Sequence, residues 1–201
     1  MAALAARLAG TAPSLGPVRL VAVDGHAGSG KSTLAAGLSD ALGAAPVLHL
    51  DDVASHAAPF GWTGRLWQRV LEPLSRGETA RFAGYDWERR AFVRPLEVPP
   101  APVVLVEGVG AGRRAVRPAL AAVLWLQVAP EVAWQRGRRR DGPGLAAFWD
   151  GWTAAERAHF SADPTLPHAD VLVRQVPGDP RGCLVLPGPG AAGNGAARDP
   201  V

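Results

Sequence analysis

The sequence predicts an α/β fold, a parallel β-sheet with helices packed on both faces. Three observations lead there. Short apolar runs such as residues 103–106 have no polar face, the pattern of strands buried on both sides. Segments with helical spacing alternate with these runs, as in parallel sheets built from crossover connections. Between the first run and the first helix lies Gly25-His26-Ala27-Gly28-Ser29-Gly30-Lys31-Ser32, which fits G-x-x-x-x-G-K-[ST], a phosphate-binding P-loop.

The elements follow in order. Residues 1–17 form an N-terminal helical extension, 18–177 the main domain, and 178–201 a Gly/Pro/Ala-rich tail expected to be mostly disordered, with 183–186 able to add an edge strand. Residues 18–23 read as a buried strand. Leu34, Ala35, Leu38, Ala41 and Leu42 fall at helical spacing after the loop. A second strand at 47–50 ends at Asp51-Asp52. Residues 65–74 read as a helix, with Thr63 as its cap and Gly77 as its stop. Residues 92–98 read as an edge strand, because Pro95 cannot donate to a ladder on both sides. Residues 103–106 are the clearest central strand. A helix is expected over 113–120, interrupted by Pro118, and a strand over 123–128. Pro130 opens a helix that runs to about residue 139. Residues 145–161 are helical, and 171–173 form the last core strand.

Composition narrows the function classes. A chain of 201 residues that is 48% apolar, with mean hydropathy near zero, is a soluble globular protein with enough length for one core. No apolar run approaches the roughly 20 residues that cross a bilayer, and the N-terminus lacks the apolar stretch of a signal peptide. Cys183 alone excludes an internal disulfide or a multi-cysteine metal site. A cytoplasmic location with no membrane partner is therefore expected. The net charge is only +3, and no basic stripe runs along the chain, which argues against a nucleic-acid partner. A homo-oligomer stays open.

Lys31 is the single lysine beside twenty arginines. A slim ammonium follows a phosphoryl group through a tight loop, where a planar guanidinium does not. The glycines turn backbone N–H groups inward around the phosphates, so residues 25–33, from Gly25 through Lys31, Ser32 and Thr33, are the nucleotide-binding candidates. Ser32 offers a hydroxyl to Mg²⁺. His26 reads as a spacer within the loop. Guanine recognition through Asn-Lys-x-Asp is impossible, since the one asparagine is Asn194.

Ligands on such sheets bind beyond the carboxyl ends of the strands, and Gly25, Asp51 and Glu107 each follow a strand. Asp51 or Asp52 is placed to accept a proton from a hydroxyl or to orient it, with Asp51 favoured as the one nearer the strand. Glu107 stands where an acid reaches Mg²⁺ directly or through water. Arg136, Arg138, Arg139 and Arg140, before Asp141-Gly142-Pro143-Gly144, read as a lid whose cations meet the phosphates. Arg136 and Arg140 are the first choices. Tyr85, Asp86, Trp87 and Arg90 form the acceptor-site candidate, with Phe60 and Trp62 as added wall. Trp67, Trp125, Trp134, Trp149 and Trp152 read as core.

The P-loop, Asp51, Tyr85-Asp86-Trp87, Val106-Glu107-Gly108 and the arginines before Asp141 resemble the uridine kinase branch of the P-loop kinases, over about residues 18–176. The likeness extends to compact actinobacterial uridine kinase-like proteins with a Gly-Trp-x-Gly segment, here Gly61-Trp62-Thr63-Gly64. The resemblance implies a P-loop nucleoside/nucleotide kinase-like three-layer sandwich with about five parallel strands in order 2-3-1-4-5. It further implies ATP and Mg²⁺, and γ-phosphoryl transfer to a small-molecule hydroxyl acceptor, a nucleoside of uridine or cytidine type. Asp51 then activates the hydroxyl, Lys31 and Ser32 hold phosphate and metal, and Glu107 supports the metal. The acceptor-binding insert of true uridine kinases is shortened here. The alternatives are a non-nucleoside hydroxyl acceptor, a nucleoside monophosphate kinase, or an ATP-binding regulatory module without turnover.

Overall fold

The computed structural model describes residues 1–176 and 183–192. Its main sheet has six strands: β1 (Arg19–Asp24), β2 (Val47–His49), β5 (Val103–Glu107), β6 (Leu120–Leu126), β7 (Val171–Gln175) and β8 (Cys183–Pro187). They lie in the order β2-β5-β1-β6-β7-β8. The first five are mutually parallel and β8 is antiparallel to β7. Counted in chain order, the parallel strands give 2-3-1-4-5, the expected arrangement with one strand added. That strand is the edge strand left open by the sequence at 183–186. The rest of the tail expected to be disordered, residues 178–182 and 193–201, lies outside the described residues.

Alternation along the strands feeds two cores. Leu20, Ala22, Val104 and Val106 face one side, together with Leu66, Val70, Leu71 and Leu74. Val21, Val23, Val103 and Leu105 face the other, where α1 (Ala2–Ala9) contributes Leu4 and Leu8 and α2 (Lys31–Ala41) contributes Leu34, Ala35 and Leu38. β5 is buried at every position, so its apolar run has the expected physical cause. No helix among the described residues is long and apolar enough to cross a membrane.

Four local expectations change. The stretch from α3 (Thr63–Leu66) to α4 (Glu72–Ser75) is helical, but widens to a π turn at Trp67–Leu71, just before Pro73 removes a ladder N–H. Thr63 does not cap it; its hydroxyl accepts a hydrogen bond from Arg113 Nη1 at 2.7 Å. Residues 113–120 form no helix beyond the 3-10 turn Arg117–Ala119. Pro118 blocks propagation, and the Arg117 guanidinium is drawn to the Gly112 carbonyl and Asp163. Residues 80–98 form a full hairpin, β3 (Ala80–Asp86) with β4 (Ala91–Val98), of which only the second strand was expected. Pro95 is tolerated because this two-stranded sheet has free edges. The chain then continues through α5 (Pro130–Asp141) and α6 (Ala146–Ala162).

Candidate active site

Three strand ends meet at one edge. The loop after β1 passes into α2 through Gly30, whose φ of 100° suits glycine. Gly28, at φ +82°, presses against the backbone of α5 at Ala133, where a Cβ would overlap the Ala133 carbonyl. The loop is thus seated directly on α5. An open cleft of about 790 Å³ results, lined by Ala27, Gly28, Gly30, Lys31, Ser32, Thr33, Asp51, Glu107, Arg136 and Arg140, with Trp152 on its rim. Backbone amides at a helix N-terminus with one buried ammonium make this an anion cleft. Gly25 opens the loop and Ser29 is buried beneath it; neither lines the cleft.

Lys31 is nearly buried, and its Nζ donates to the His26 carbonyl at 3.0 Å. Ser32 Oγ donates to Glu107 Oε1 at 3.2 Å, and the other Glu107 oxygen meets His49 Nδ1 at 2.7 Å. This hydrogen bond, donated by His49 to Glu107, raises the pKa of His49 despite partial burial. The two aspartates differ. Asp52 pairs with Arg94 at 3.2 Å. The Asp51 carboxylate has no hydrogen-bond partner among the described residues and opens onto the cleft. Desolvation by the surrounding protein, then the nearby Glu107 charge, raise its pKa.

A second cleft of about 540 Å³ adjoins the first across Ala27, Asp51, Arg140 and Trp152 and adds Trp87, Asp141, Phe148 and Trp149. Trp87 is held by its indole N–H on the Asp51 carbonyl at 3.1 Å. Tyr85 is buried behind it, with its hydroxyl 3.0 Å from His56 Nδ1, so it supports the wall from behind. Arg90 is exposed in the β3–β4 turn and lines neither cleft. Trp62 is core, with the Arg113 guanidinium 3.9 Å above its ring, and is not wall. Trp152, expected in the core, borders both clefts instead.

Of the four clustered arginines, Arg136 and Arg140 line the anion cleft. Arg136 donates to Gln175 at 2.8 Å, and Arg140 forks onto Asp141 at 2.6 and 3.1 Å. Arg138 pairs with Asp150 on the outer face at 2.8 Å.

Sequence reasoning missed two buried carboxylates. Asp24, the last residue of β1, is fully buried and accepts from the amides of Gly25, Gly110 and Gly112 and from the Thr165 hydroxyl, at 2.7–3.0 Å. It fastens the start of the P-loop to the loop after β5. Burial raises its pKa even so. Glu156 of α6 is also fully buried and is surrounded by donors: His26 Nδ1 at 2.7 Å, Trp134 Nε1 at 3.0 Å, Trp152 Nε1 at 2.8 Å and the Ala27 amide at 3.3 Å. Only an acceptor-only group satisfies all four. His26 is therefore more than a spacer: its ring fixes the loop to α6. The signal was present in sequence, since Glu156 lies four residues after Trp152 on an apolar helix face.

Burial alone would raise the Glu156 pKa, but the hydrogen bonds and charge from His26, with the two indoles, outweigh it and the net shift is downward. A depressed carboxyl stabilises the fold above its unfolded pKa, roughly 4.3, and that contribution is lost as pH falls through the folded value. Glu156→Gln places an amide donor among donors and should cost about 2–3 kcal/mol at pH 7. The difference from wild type should narrow below roughly pH 4.3. Urea midpoints at pH 7 and pH 3.5 check this; a pH-independent difference would mean that ionised Glu156 is not the stabilising form.

No family model matches the chain, and no curated protein matches it. Solved structures share its fold. A structure described as a possible uridine kinase from Bacillus stearothermophilus superposes with a TM-score of 0.61 at 20% identity, covering 84% of this chain and 94% of that one. A candidate fructose transport system kinase from Silicibacter sp. TM1040 gives 0.55 at 24% identity, covering 80% and 87%. These likenesses show a shared mixed α/β fold with a mostly parallel central sheet and flanking helices.

Proposed function

We propose that this chain is an ATP-dependent phosphotransferase that moves the γ-phosphoryl group of ATP to the hydroxyl of a small, nucleoside-like acceptor. The observation that carries the reading is the shared boundary of the two clefts. Asp51, a carboxylate with no hydrogen-bond partner among the described residues, borders both the P-loop cleft of Lys31 and the aromatic cleft of Trp87 and Trp152. A phosphoryl donor in the first and a hydroxyl in the second would meet beside it. The kinase descriptions of both similarly folded structures support the same direction, as does the sequence resemblance to the uridine kinase branch.

The residues take separate roles. Loop amides and Lys31 bind and orient the phosphates. Asp51 orients the acceptor hydroxyl and takes its proton as the new P–O bond forms and the bond to ADP breaks. Arg136 and Arg140, released from Gln175 and Asp141, move onto the phosphates as charge spreads in the transition state. The oxygen donors Ser32 and Glu107 fit Mg²⁺, which demands hard ligands and keeps water and substrate phosphate as most of its shell; no cluster of three or more His, Cys, Asp or Glu suited to a metal exists among the described residues. When bound, Mg²⁺ would neutralise phosphate charge. Asp52, held by Arg94, supports the Asp51 turn; Arg90 is left outside.

A panel of nucleosides, nucleoside monophosphates, sugars and simple alcohols, read by ADP release with Mg·ATP, tests the proposal. Acceptor-dependent ADP formation is expected; saturable ATP binding with no acceptor-dependent release would reduce the chain to a nucleotide-binding module. Within the arginine cluster, Arg136→Ala and Arg140→Ala should each lose about a hundredfold or more in kcat. Arg138→Ala and Arg139→Ala should stay near wild type, because Arg138 pairs with Asp150 at the surface, where such pairs contribute little, and Arg139 is exposed and lines neither cleft. Four uniformly mild effects would remove the lid from the mechanism.

A further inference from the structure

The second residue of the P-loop is tied to a helix far along the chain. His26 lines neither cleft. Its ring packs edge to face against Trp125, Trp134 and Phe160, with centroids at 5.4, 5.8 and 5.1 Å. Its Nδ1 meets the fully buried Glu156 of α6 at 2.7 Å, and the Ala27 amide donates to the same carboxylate at 3.3 Å. A buried carboxylate is tolerated only when donors satisfy it, and here two of the donors come from the loop.

The main chain of His26 faces the other way. Its carbonyl accepts the Ser29 amide at 3.0 Å and the Lys31 Nζ at 3.0 Å. One residue thus joins the carboxylate of α6 to the chain's single lysine. Among the described residues, the Ser29–His26 bond is also the one backbone hydrogen bond closed within residues 25–30. The loop holds Gly28 and Gly30 at positive φ, and glycine-rich backbone loses much freedom when it is fixed around a ligand. Order imposed before binding is not deducted from affinity. The turn at Ser29 is too little to impose that order, whereas a ring seated among three aromatics and a carboxylate fixes residue 26 from outside the loop.

We propose that His26 and Glu156 are positioning residues for the nucleotide. Through them α6 holds the first half of the P-loop, and by way of the His26 carbonyl the Lys31 ammonium, in the shape that receives phosphates before they arrive. The inference rests on the nucleotide-binding part of the reading above and is independent of the acceptor.

Calorimetric titration with ATP and with inorganic tripolyphosphate, each with Mg²⁺, tests it. The proteins are wild type, His26→Ala, His26→Asn, Glu156→Gln and the double variant His26→Ala/Glu156→Gln, each shown to be folded by circular dichroism at the temperature used. Tripolyphosphate reports on the loop without a base or ribose. His26→Ala and Glu156→Gln should each raise both Kd values about tenfold, and by the same factor for the two ligands. His26→Asn places a side-chain N–H where Nδ1 stood, and should stay within about threefold of wild type. The double variant should lose no more than the worse single one, because both changes release the same contact. A carboxylate that served stability alone would shift unfolding midpoints and leave these Kd values in place. Unchanged Kd values in folded His26→Ala and Glu156→Gln, or losses that multiply in the double variant, overturn the proposal. If Glu156→Gln does not fold, the His26 pair decides, and equal losses for Ala and Asn overturn it. Wild type that binds ATP but releases no ADP with any acceptor defeats the kinase reading, and the same Kd series still decides the positioning role. Wild type that binds neither polyphosphate overturns both.

Discussion

Lys31→Ala should abolish acceptor-dependent ADP release and leave the fold intact. The side chain is almost buried, yet among the described residues its Nζ hydrogen-bonds only to the carbonyl of His26 within its own loop. Its removal therefore orphans no buried carboxylate, and a carbonyl at the cleft edge regains water. Catalysis has no substitute for it. No other lysine exists in the chain, and the two cleft arginines enter from α5 and so would add to Lys31 at the phosphates without replacing it inside the loop. Cations on a transferring phosphoryl group are worth about 10³–10⁵ in rate, so a loss of at least about 10³ is expected. Circular dichroism and ADP release are the paired measurements. A folded, active variant would remove the P-loop from the chemistry.

Asp51→Asn should lower kcat by about 10²–10⁴, the usual contribution of a positioned acid or base, with the Kd for ATP changed only a few-fold. The acid acts on the acceptor, so the loss belongs to the transition state. Asp52→Asn is the internal control. It gives up a half-exposed pair with Arg94, worth little in water, and its kcat should stay within about tenfold. A crippled Asp52 variant beside a near-normal Asp51 variant would exchange their roles. The pH profile carries a second check. Desolvation by the surrounding protein and the Glu107 charge raise the Asp51 pKa, and the base works only when ionised. The acid limb of kcat should therefore lie above the usual carboxylate range near 3.9, with rate rising as pH increases through it. That limb should be absent from the residual activity of Asp51→Asn.

Much of this architecture was legible because it is local. The P-loop glycines and Lys31 fall in one octapeptide. The β5 run ending at Glu107 is apolar on both faces, so its strand, its central position and the placement of its acid follow together. Asp51 directly follows the strand–turn β2-Leu50, which brings it to the same edge. The first hairpin strand was missed because Ala83 and Gly84 dilute its alternation, and because its partner lies across a turn and not in a core. The helix expected at 113–120 failed where Pro118 and two anchored arginines outweighed apolar spacing.

The sequence by itself determined the sheet, the anion loop and the two acids at its edge, since each depends on short-range pattern and on the rule that parallel strands present their carboxyl ends to ligands. The tertiary structure alone decided which of the paired aspartates is left without a hydrogen bond among the described residues, which arginines reach the cleft and which tryptophan forms its wall. Arg94 neutralises Asp52 across 42 positions, and Glu156 gathers His26 across 130. Periodicity states that Trp149, Trp152 and Glu156 share one face of α6. It does not state whether that face meets a core or a cleft, because that depends on what the rest of the chain brings opposite.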